Sequence, residues 1–226
     1  ECTSNLKKKV YLMSSPSIVW SNDVDIDALK AFHDPSYIAP KCVVGLDRDG
    51  VINVNNGDYV SKVSDWEFEE GSLDAIVRIR KHGHKIVILT NQGGIEKGLY
   101  TEEDVEKVHA HMFLELGKAG CPSIDGLYYS SSSHKTNMYA KPNVGMFKRC
   151  EKEVKHVKFS KGYYAGDSIR DLKAAMKVGA KPVLIRTGHG KDTEELVNKR
   201  FSYKQIKKAM IVFDNLAAFA DWLETK

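Results

Sequence analysis

The sequence lacks long hydrophobic runs. Its longest apolar stretches, such as Ile86–Leu89 and Met210–Phe213, have the length of a strand and fall far short of the roughly 20 residues that a membrane-spanning helix needs. We therefore expect no membrane segment. Because 42% of the residues are hydrophobic and 28% are charged, the chain can still form a packed core with a solvated surface, and disorder is not indicated.

Cysteines are few and are not arranged in pairs. Cys2, Cys42, Cys121 and Cys150 lie far apart, and no Cys-x-x-Cys motif occurs. This spacing argues against a disulfide framework and against a cysteine zinc site, and it fits a reducing compartment. We expect a cytoplasmic protein, or a protein of an organelle matrix if a targeting segment has been removed ahead of Glu1.

Charge of one sign is not concentrated either. The formal net charge is +4, and the basic residues are spread along the chain. Lys7–Lys9 is the one basic run of three residues, and such a run is more often a solvated chain end than a binding patch. Nucleic-acid binding is therefore permitted but not indicated.

The pattern of the chain changes at residue 41. Residues 1–40 are mixed in character, with one short helical candidate at Asp25–His33, and we interpret them as an N-terminal extension through which a partner protein could dock. From residue 41 to residue 226, strand-like and helix-like segments alternate. This alternation predicts one α/β domain with a doubly wound parallel sheet and helices on both faces.

The expected strands are Cys42–Leu46, Lys85–Thr90, Ile124–Tyr129, Tyr163–Ala165, Lys181–Arg186 and Met210–Phe213. The expected helices are Ser72–Lys81, Thr101–Lys118, Val144–Val154, Ser168–Val178 and Leu216–Leu223. In parallel sheets of this kind, ligands bind at the carboxyl ends of the strands. The polar residues that follow each strand are therefore the first candidates for a functional site.

Four strand ends carry such residues. In chain order they read Asp47-Arg48-Asp49-Gly50, then Thr90-Asn91-Gln92-Gly93-Gly94, then Lys141-Pro142 after a long polar stretch, and finally Gly166-Asp167-Ser168-Ile169-Arg170-Asp171. Carboxylates at close quarters resist joint ionisation unless a cation lies between them, and a glycine-freed loop can cradle phosphate through backbone N–H groups.

Each of these motifs taken alone has an ordinary structural explanation. The acid pair fits a turn, the amide loop fits a surface loop, and a single lysine is usually solvated. Pro142 would pre-organise the first turn of the next helix. Asp167 or Ser168 would cap the helix that follows, a role that suits Asp171 less because it lies one turn further on.

The four motifs together, in this order and at strand ends, resemble those of the haloacid dehalogenase superfamily across about residues 41–215. The resemblance implies that Asp47 is the nucleophile, that Asp49 is the general acid and base, and that Lys141 neutralises the phosphoryl group. It further implies that Asp47, Asp49 and Asp167 hold Mg²⁺, with Asp49 contributing its backbone carbonyl and with Asp171 and Ser168 in support. Phosphoryl transfer needs mainly in-line positioning and charge neutralisation, which this set can supply.

Several segments look like those of one subfamily: Leu46–Asn53, Phe68–Gly71, Thr90–Gln92, Gly126–Tyr129, Lys141–Met146 and Arg186–Gly188. These segments resemble the phosphatases of heptose 1,7-bisphosphate and of histidinol phosphate, which have no separate cap domain. Here the resemblance implies a small phosphorylated substrate, such as a sugar phosphate, contacted by Thr90, Asn91, Arg48, Asn53 and Tyr59. Asn53, Asn55, Gly57 and Tyr59 would lie on a short flap over the pocket.

One loop departs from that subfamily. Members with a structural zinc carry cysteine and histidine ligands where this chain has Ser130, Ser132, Asn137 and Tyr139, and an arginine where it has Ala140. We therefore expect no structural zinc, and the missing arginine weakens the case for a heptose bisphosphate as substrate.

Two other functions stay open at this point. A polynucleotide 3′-phosphatase would share the Thr-Asn-Gln and Lys-Pro motifs and an open site, but the sequence shows no basic stripe. A catalytically retired structural or assembly subunit is the second alternative. It is disfavoured because Asp47, Asp49, Lys141 and Asp167 are all present.

Overall fold

The computed structural model describes residues 6–9, 41–55, 57, 59–121 and 123–226, the first of these ranges by its backbone only. Its strands form one seven-stranded sheet in the order β1-β4-β3-β2-β5-β6-β7. The strand β1 pairs antiparallel with β4, and the other six are parallel. The α/β prediction is confirmed. The expected helix at Asp25–His33 lies outside the described residues.

The strands are β1 Leu6–Lys9, β2 Val43–Leu46, β3 Lys85–Asn91, β4 Gly126–Ser130, β5 Tyr163–Gly166, β6 Lys181–Ile185 and β7 Ile211–Phe213. The helices are α1 Ser72–Lys81, α2 Glu102–Lys118, α3 Gly145–Glu153, α4 Ile169–Lys177, α5 Gly190–Lys199, α6 Lys204–Ala209 and α7 Leu216–Glu224. Short 3₁₀ turns lie at Val63–Asp65, Phe159–Lys161 and Phe201–Tyr203.

The sheet is covered on both faces, as the doubly wound prediction requires. Alternate residues of a strand point to opposite faces, so Ile86 and Ile88 of β3 join one buried cluster while Val87 and Leu89 join another. The first cluster includes side chains of α1, α2 and α7, and the second includes side chains of α3 and α4. Burying both faces explains why the central strands read as nearly continuous apolar runs.

Most predicted elements are present within one or two residues of the expected bounds, and Ser72–Lys81 has the expected bounds. The helices α5 and α6 were not predicted. Only Val197 of α5 and Ile206 of α6 are buried hydrophobic residues, so neither segment shows the apolar stripe by which a helix is recognised in a sequence. The strand β1, within the expected N-terminal extension, was also not predicted.

The intervals between the motif-bearing strands contain only parts of this one domain. A loop with a 3₁₀ turn, then α1 and β3, connects Asp47 to Thr90, and α2 and β4 fill most of the chain between Thr90 and Lys141. In the ranges that the structure describes, no separate cap domain is found. None of the described helices combines the length and the apolar composition of a bilayer span.

The aromatic side chain of Phe147 on α3 packs in the core on one face of the sheet. Its ring is fully buried and packs edge-on against Phe159 and Tyr164, with ring centroids 5.0 Å and 4.8 Å away. We expect Phe147→Ala to lower the free energy of unfolding by about 3–5 kcal/mol, because a cavity replaces the ring. Urea unfolding followed by circular dichroism measures this change.

Phe201 offers a matched control, because the same residue type is 86% exposed there. Phe201→Ala should change the free energy of unfolding by less than about 0.5 kcal/mol. Equal losses in the two variants would contradict the packing described for Phe147.

Candidate functional site

Three buried carboxylates meet at the carboxyl edge of the sheet. Asp47 directly follows β2, and its backbone N–H donates to the carbonyl of Ala165 in β5 at 2.9 Å. Asp167 directly follows β5, so neighbouring parallel strands deliver both side chains to one place. Asp171, in the first turn of α4, completes the group, and one ligand oxygen from each of the three lies within 4.8 Å of the others.

The ammonium group of Lys141 lies against this cluster. Its Nζ is 2.7 Å from Oδ1 of Asp47 and 2.8 Å from Oδ1 of Asp171, and it donates to the carbonyl oxygen of Leu89 at 2.9 Å. The side chain of Lys141 is only 2% exposed. A reciprocal pair of hydrogen bonds, 3.0 Å and 2.9 Å long, ties its backbone to the amide of Asn91.

Burial and mutual repulsion shape the ionisation of this cluster. Burial, followed by the charge of Asp171, raises the pKa of Asp47 to about 7 and that of Asp167 to about 8. Burial also opposes ionisation of Asp171, but the charge of Lys141 and hydrogen bonds from Lys141 and Ser168 hold the pKa of Asp171 below its ordinary value. One ammonium group thus compensates three carboxylates incompletely, which is the situation that a bound cation relieves.

Two glycines allow the loops around Asp167 to come close together. Gly50 has a φ of 79° and Gly188 a φ of 52°, and a Cβ at either position would lie closer than 3.0 Å to Oδ2 of Asp167. That oxygen accepts a hydrogen bond of 2.8 Å from the backbone of His189. The loop after β6 therefore helps to orient a candidate metal ligand.

Asp49 lies apart from the three-carboxylate cluster, and its carboxylate is held by neighbouring donors. Arg48 approaches Oδ1 through Nε at 3.0 Å and Nη2 at 2.8 Å, and Asn53 donates to the same oxygen at 3.1 Å. Gln92 donates to Oδ2 at 2.9 Å. The side chain of Asp49 is 25% exposed, so it keeps access to the cavity.

The expected phosphate contacts of Arg48 and Asn53 do not fit their positions. Both residues are fully buried, and neither lines the cavity. The guanidinium of Arg48 turns inward, to Asp49 and to Nε2 of His109 at 3.1 Å. We therefore correct their role from contacting substrate to holding Asp49.

A cavity of about 220 Å³ opens above the cluster. Of the residues expected from the sequence, its lining includes Asp47, Asp49, Asn55, Gly57, Tyr59, Thr90, Asn91, Lys141, Asp167, Ser168 and Asp171. The lining also contains Ser133, Arg170 and His189, which were not singled out. A lone basic or hydroxyl residue in a loop gives no sequence signal of its own, although Arg170 lies inside the fourth motif.

Two local expectations need correction. Asp171 does take part in capping α4, because its Oδ2 accepts from the backbone N–H of Ser168 at 3.1 Å and also contacts the Ser168 hydroxyl. Its other oxygen contacts Lys141, so one carboxylate serves both purposes. Pro142 does not lie in the first turn of a helix, since α3 begins three residues later, at Gly145.

The fold and this site define a class. The site has a carboxylate after the central strand, a second carboxylate two residues on, a buried lysine, and an acidic pair after the neighbouring strand. This is the arrangement of the haloacid dehalogenase superfamily. In the described part of the chain this arrangement occurs without a cap domain.

Comparison with known proteins narrows the class. A family model described as polynucleotide kinase 3 phosphatase matches residues 43–212. The D-glycero-beta-D-manno-heptose-1,7-bisphosphate 7-phosphatase of Pseudomonas putida is 34% identical over 175 residues, which are 77% of this chain and 95% of that protein. The enzyme of the same name from Neisseria meningitidis serogroup A is 33% identical over 179 residues, 79% of this chain and 92% of that protein.

Solved structures agree with the sequence relatives. The D,D-heptose 1,7-bisphosphate phosphatase of B. bronchiseptica, complexed with magnesium and phosphate, superposes with a TM-score of 0.71 at 28% identity, covering 81% of this chain and 98% of that one. The corresponding protein of Burkholderia thailandensis gives a TM-score of 0.61 at 30% identity, covering 82% of this chain and 100% of that one.

The chain therefore belongs to the polynucleotide kinase 3 phosphatase family within the haloacid dehalogenase superfamily, and it resembles the heptose bisphosphate phosphatases. Membership confirms the expected superfamily and makes the protein a phosphatase, a hydrolase of phosphoric monoesters.

The close approach at Gly50 can be tested against a second glycine of positive φ. Gly57 has a φ of 91°, and a Cβ there would meet nothing within 4 Å. Alanine at either position costs about 1 kcal/mol of backbone strain. We expect Gly50→Ala to lower the free energy of unfolding by a further ~1–3 kcal/mol, because its methyl group must displace Asp167. Urea unfolding without added metal measures the difference, and equal losses would contradict the contact.

Proposed function

We propose that the protein is a magnesium-dependent phosphatase that hydrolyses a phosphomonoester through an aspartyl-phosphate on Asp47. The observation that carries this proposal is the meeting of Asp47, Asp167 and Asp171 within 4.8 Å, with the Lys141 ammonium at 2.7 Å from Asp47. A structural subunit would gain nothing from burying three carboxylates around a single lysine, because such a cluster opposes folding.

The first half of the reaction forms the enzyme ester. An oxygen of Asp47 attacks phosphorus, the bond from phosphorus to the leaving oxygen breaks, and Asp49 gives that oxygen a proton. Thr90 and the loop at Asn91 bind the phosphoryl oxygens, and Lys141 offsets their charge.

The second half regenerates the carboxylate. Asp49, now ionised, takes a proton from water as the water oxygen attacks phosphorus, the bond between phosphorus and the Asp47 oxygen breaks, and inorganic phosphate is released. One carboxylate thus serves as acid and then as base, which requires that it be held apart from the metal-binding group yet reach the cavity. The position of Asp49 meets both requirements.

The cation would be held by the side chains of Asp47 and Asp167 and by the backbone carbonyl of Asp49, with Asp171 in support. Oxygen ligands of this kind suit Mg²⁺, and a divalent cation there would neutralise the charge of the transferring phosphoryl group. The fit rests on the three carboxylates that meet within 4.8 Å around one ammonium group. The raised pKa of Asp47 and of Asp167, about 7 and about 8, agrees with this.

The substrate that we favour is a phosphorylated sugar or a similar small metabolite. Support comes from the relatives named as heptose bisphosphate phosphatases, which match this chain over nearly their whole length. Tyr59, Ser133, Arg170 and His189 line the cavity around the phosphate site and are the side chains in place to contact the alcohol part of the substrate.

A second candidate is the 3′-phosphate of a polynucleotide. The family model that matches residues 43–212 takes its description from such an enzyme, and a site without a cap admits a polymer end. Phosphatase assays at rising salt separate the two, because activity on an oligonucleotide end falls steeply with salt while activity on a small ester does not.

Magnesium binding should depend on pH in a defined direction. The folded-state pKa values of Asp47 and Asp167, about 7 and about 8, lie above the ordinary 3.8. Their contribution to stability is therefore present at low pH and is lost as the pH rises through 7 and 8. Mg²⁺ replaces the protons, so we expect a larger Mg²⁺-induced rise in Tm near pH 8.5 than near pH 6.

Differential scanning fluorimetry with and without Mg²⁺ measures both shifts. Asp74→Asn is the control, because the Asp74 side chain is 70% exposed and lies outside the site, and it should keep the pH dependence. A Mg²⁺ effect of equal size at both pH values would contradict the assignment of the cation to these carboxylates.

Substitution of the nucleophile tests the chemistry. Asp47→Asn should lower kcat for p-nitrophenyl phosphate by roughly 10³-fold or more while the protein stays folded, because no ester can form. Asp74→Asn should keep wild-type activity. The same activity assay is then run on sugar phosphates, histidinol phosphate and 3′-phosphorylated oligonucleotides. Retained activity in Asp47→Asn would refute the nucleophile assignment.

A further inference from the structure

The side chain of Gln92 contacts several residues of the site, yet the mechanism proposed above gives it no role. Its amide nitrogen Nε2 is 2.9 Å from Oδ2 of Asp49 and 2.9 Å from Oγ1 of Thr90. Its amide oxygen Oε1 is 3.2 Å from Nη2 of Arg48 and 3.0 Å from the hydroxyl of Tyr100. Gln92 is 1% exposed, so these four protein contacts take the place of water.

The orientation of this amide follows from the chemistry of its neighbours. A guanidinium has only donors and a carboxylate has only acceptors. Oε1 must therefore face Arg48, and Nε2 must face Asp49. The reverse orientation would set two donors against each other at Arg48 and two acceptors against each other at Asp49, inside a buried site where unmet polar groups are costly.

The same orientation determines the direction of two further hydrogen bonds. Nε2 can only donate, so the oxygen of Thr90 accepts, and the hydroxyl proton of Thr90 is left for another acceptor. Among the residues that the structure describes, the one hydrogen bond made by the Thr90 hydroxyl is the one it accepts from Gln92. Thr90 lines the cavity, where the phosphoryl oxygens would accept it.

Asp49 is oriented by the same contact. Its Oδ1 accepts from two nitrogens of Arg48 and from Asn53, whereas its Oδ2 accepts from Gln92 alone. Oδ2 therefore has room for a proton, and Oδ1 does not. The single hydrogen bond from Gln92 fixes where that oxygen lies.

We propose that Gln92 is a positioning residue that sets the direction of the hydrogen bonds in the site. Through Nε2 it places Oδ2 of Asp49 to exchange the proton of the leaving group, and it leaves the Thr90 hydroxyl to donate to phosphate. Arg48 and Tyr100 act indirectly, because their hydrogen bonds to Oε1 fix the orientation of the Gln92 amide. This inference rests on the proposed function, in which Asp49 is the general acid.

Two phenyl esters of similar size test the placement of the acid. Phenyl phosphate releases a far more basic oxygen than p-nitrophenyl phosphate does, so its cleavage depends more on protonation. Gln92→Met keeps the side-chain size and removes the amide. We expect its kcat/KM in Mg²⁺ to fall by about 100-fold for phenyl phosphate and by only about 10-fold for p-nitrophenyl phosphate.

Ser72→Ala is the matched control. The Ser72 hydroxyl is fully buried and donates to the carbonyl of Ile52 at 2.6 Å, so this variant also loses a buried hydrogen bond but does not touch Asp49. Its ratio of kcat/KM for the two esters should equal that of the wild type. An unchanged ratio in a folded Gln92→Met variant would overturn the positioning role.

If Gln92→Met does not fold, Tyr100→Phe decides the question. That change removes one donor to Oε1 and leaves both bonds from Nε2 in place, and it should shift the ratio in the same direction by about 2- to 3-fold. No shift overturns the proposal.

The proposed function fails separately. A wild-type protein that cleaves neither ester in Mg²⁺ would refute it, and so would an Asp49→Asn variant with the wild-type ratio. Either result removes the positioning role of Gln92 as well.

Discussion

Lys141 contacts Asp47 and Asp171 from a buried position, and the rest of the site is organised around the charge that this contact only partly balances. Three carboxylates delivered by two neighbouring strands and one helix turn repel one another in a medium that screens poorly. The lysine holds Asp171 ionised, while burial and repulsion keep the pKa of Asp47 and of Asp167 raised. The carboxylate cluster therefore carries an excess of negative charge that one further positive charge could balance.

The sheet supplies the rigidity that such a cluster needs. The strands β2 and β5 are adjacent and parallel, with Leu46 paired to Ala165, so the residues that follow them leave the sheet side by side. The loop after β6 then closes over Asp167, where Gly50 and Gly188 let two backbones approach. The three carboxylates repel one another and would move apart if the strands around them could shift. The packed core beneath the strand ends prevents this movement, so it is needed for the site as well as for the fold.

The fold and much of the candidate site were predictable because their signals are local or ordered along the chain. Buried parallel strands read as apolar runs, and the polar residues at their ends come in a fixed sequence. The helix α5 escaped prediction because Val197 is its single buried hydrophobic residue. Loop residues such as His189 were not predicted as part of the site, because one sequence alone does not show which loops come together in the fold.

The inward turn of Arg48 shows where reasoning from sequence stops. A charged residue between two candidate site carboxylates suggests contact with phosphate, yet Arg48 lies past the end of β2 and does not line the cavity. Arg48 is buried, with its charge met by Asp49 and with a hydrogen-bonding contact to His109. Only the three-dimensional arrangement reveals that this arginine holds Asp49.

The loop that departs from related enzymes lies on a different part of the chain from the carboxylates at the strand ends. The residues that would transfer phosphate lie on strand ends. The loop from Ser130 to Tyr139, called the rim loop, contributes Ser133 to the cavity lining and is held by hydrogen bonds within itself and to neighbouring residues. Ser130 donates to the carbonyl of Ser132, whose hydroxyl donates to Glu96 at 2.5 Å. Asn143 donates to the carbonyls of Lys135 and Asn137.

These contacts involve no group of the carboxylate cluster. Residues of the rim loop can therefore differ from those of related enzymes without disturbing the distances between Asp47, Lys141 and Asp171. A phosphatase centre that tolerates change at its rim can keep one reaction while its substrate changes. For this reason, resemblance to heptose bisphosphate phosphatases is stronger evidence for the reaction than for the sugar.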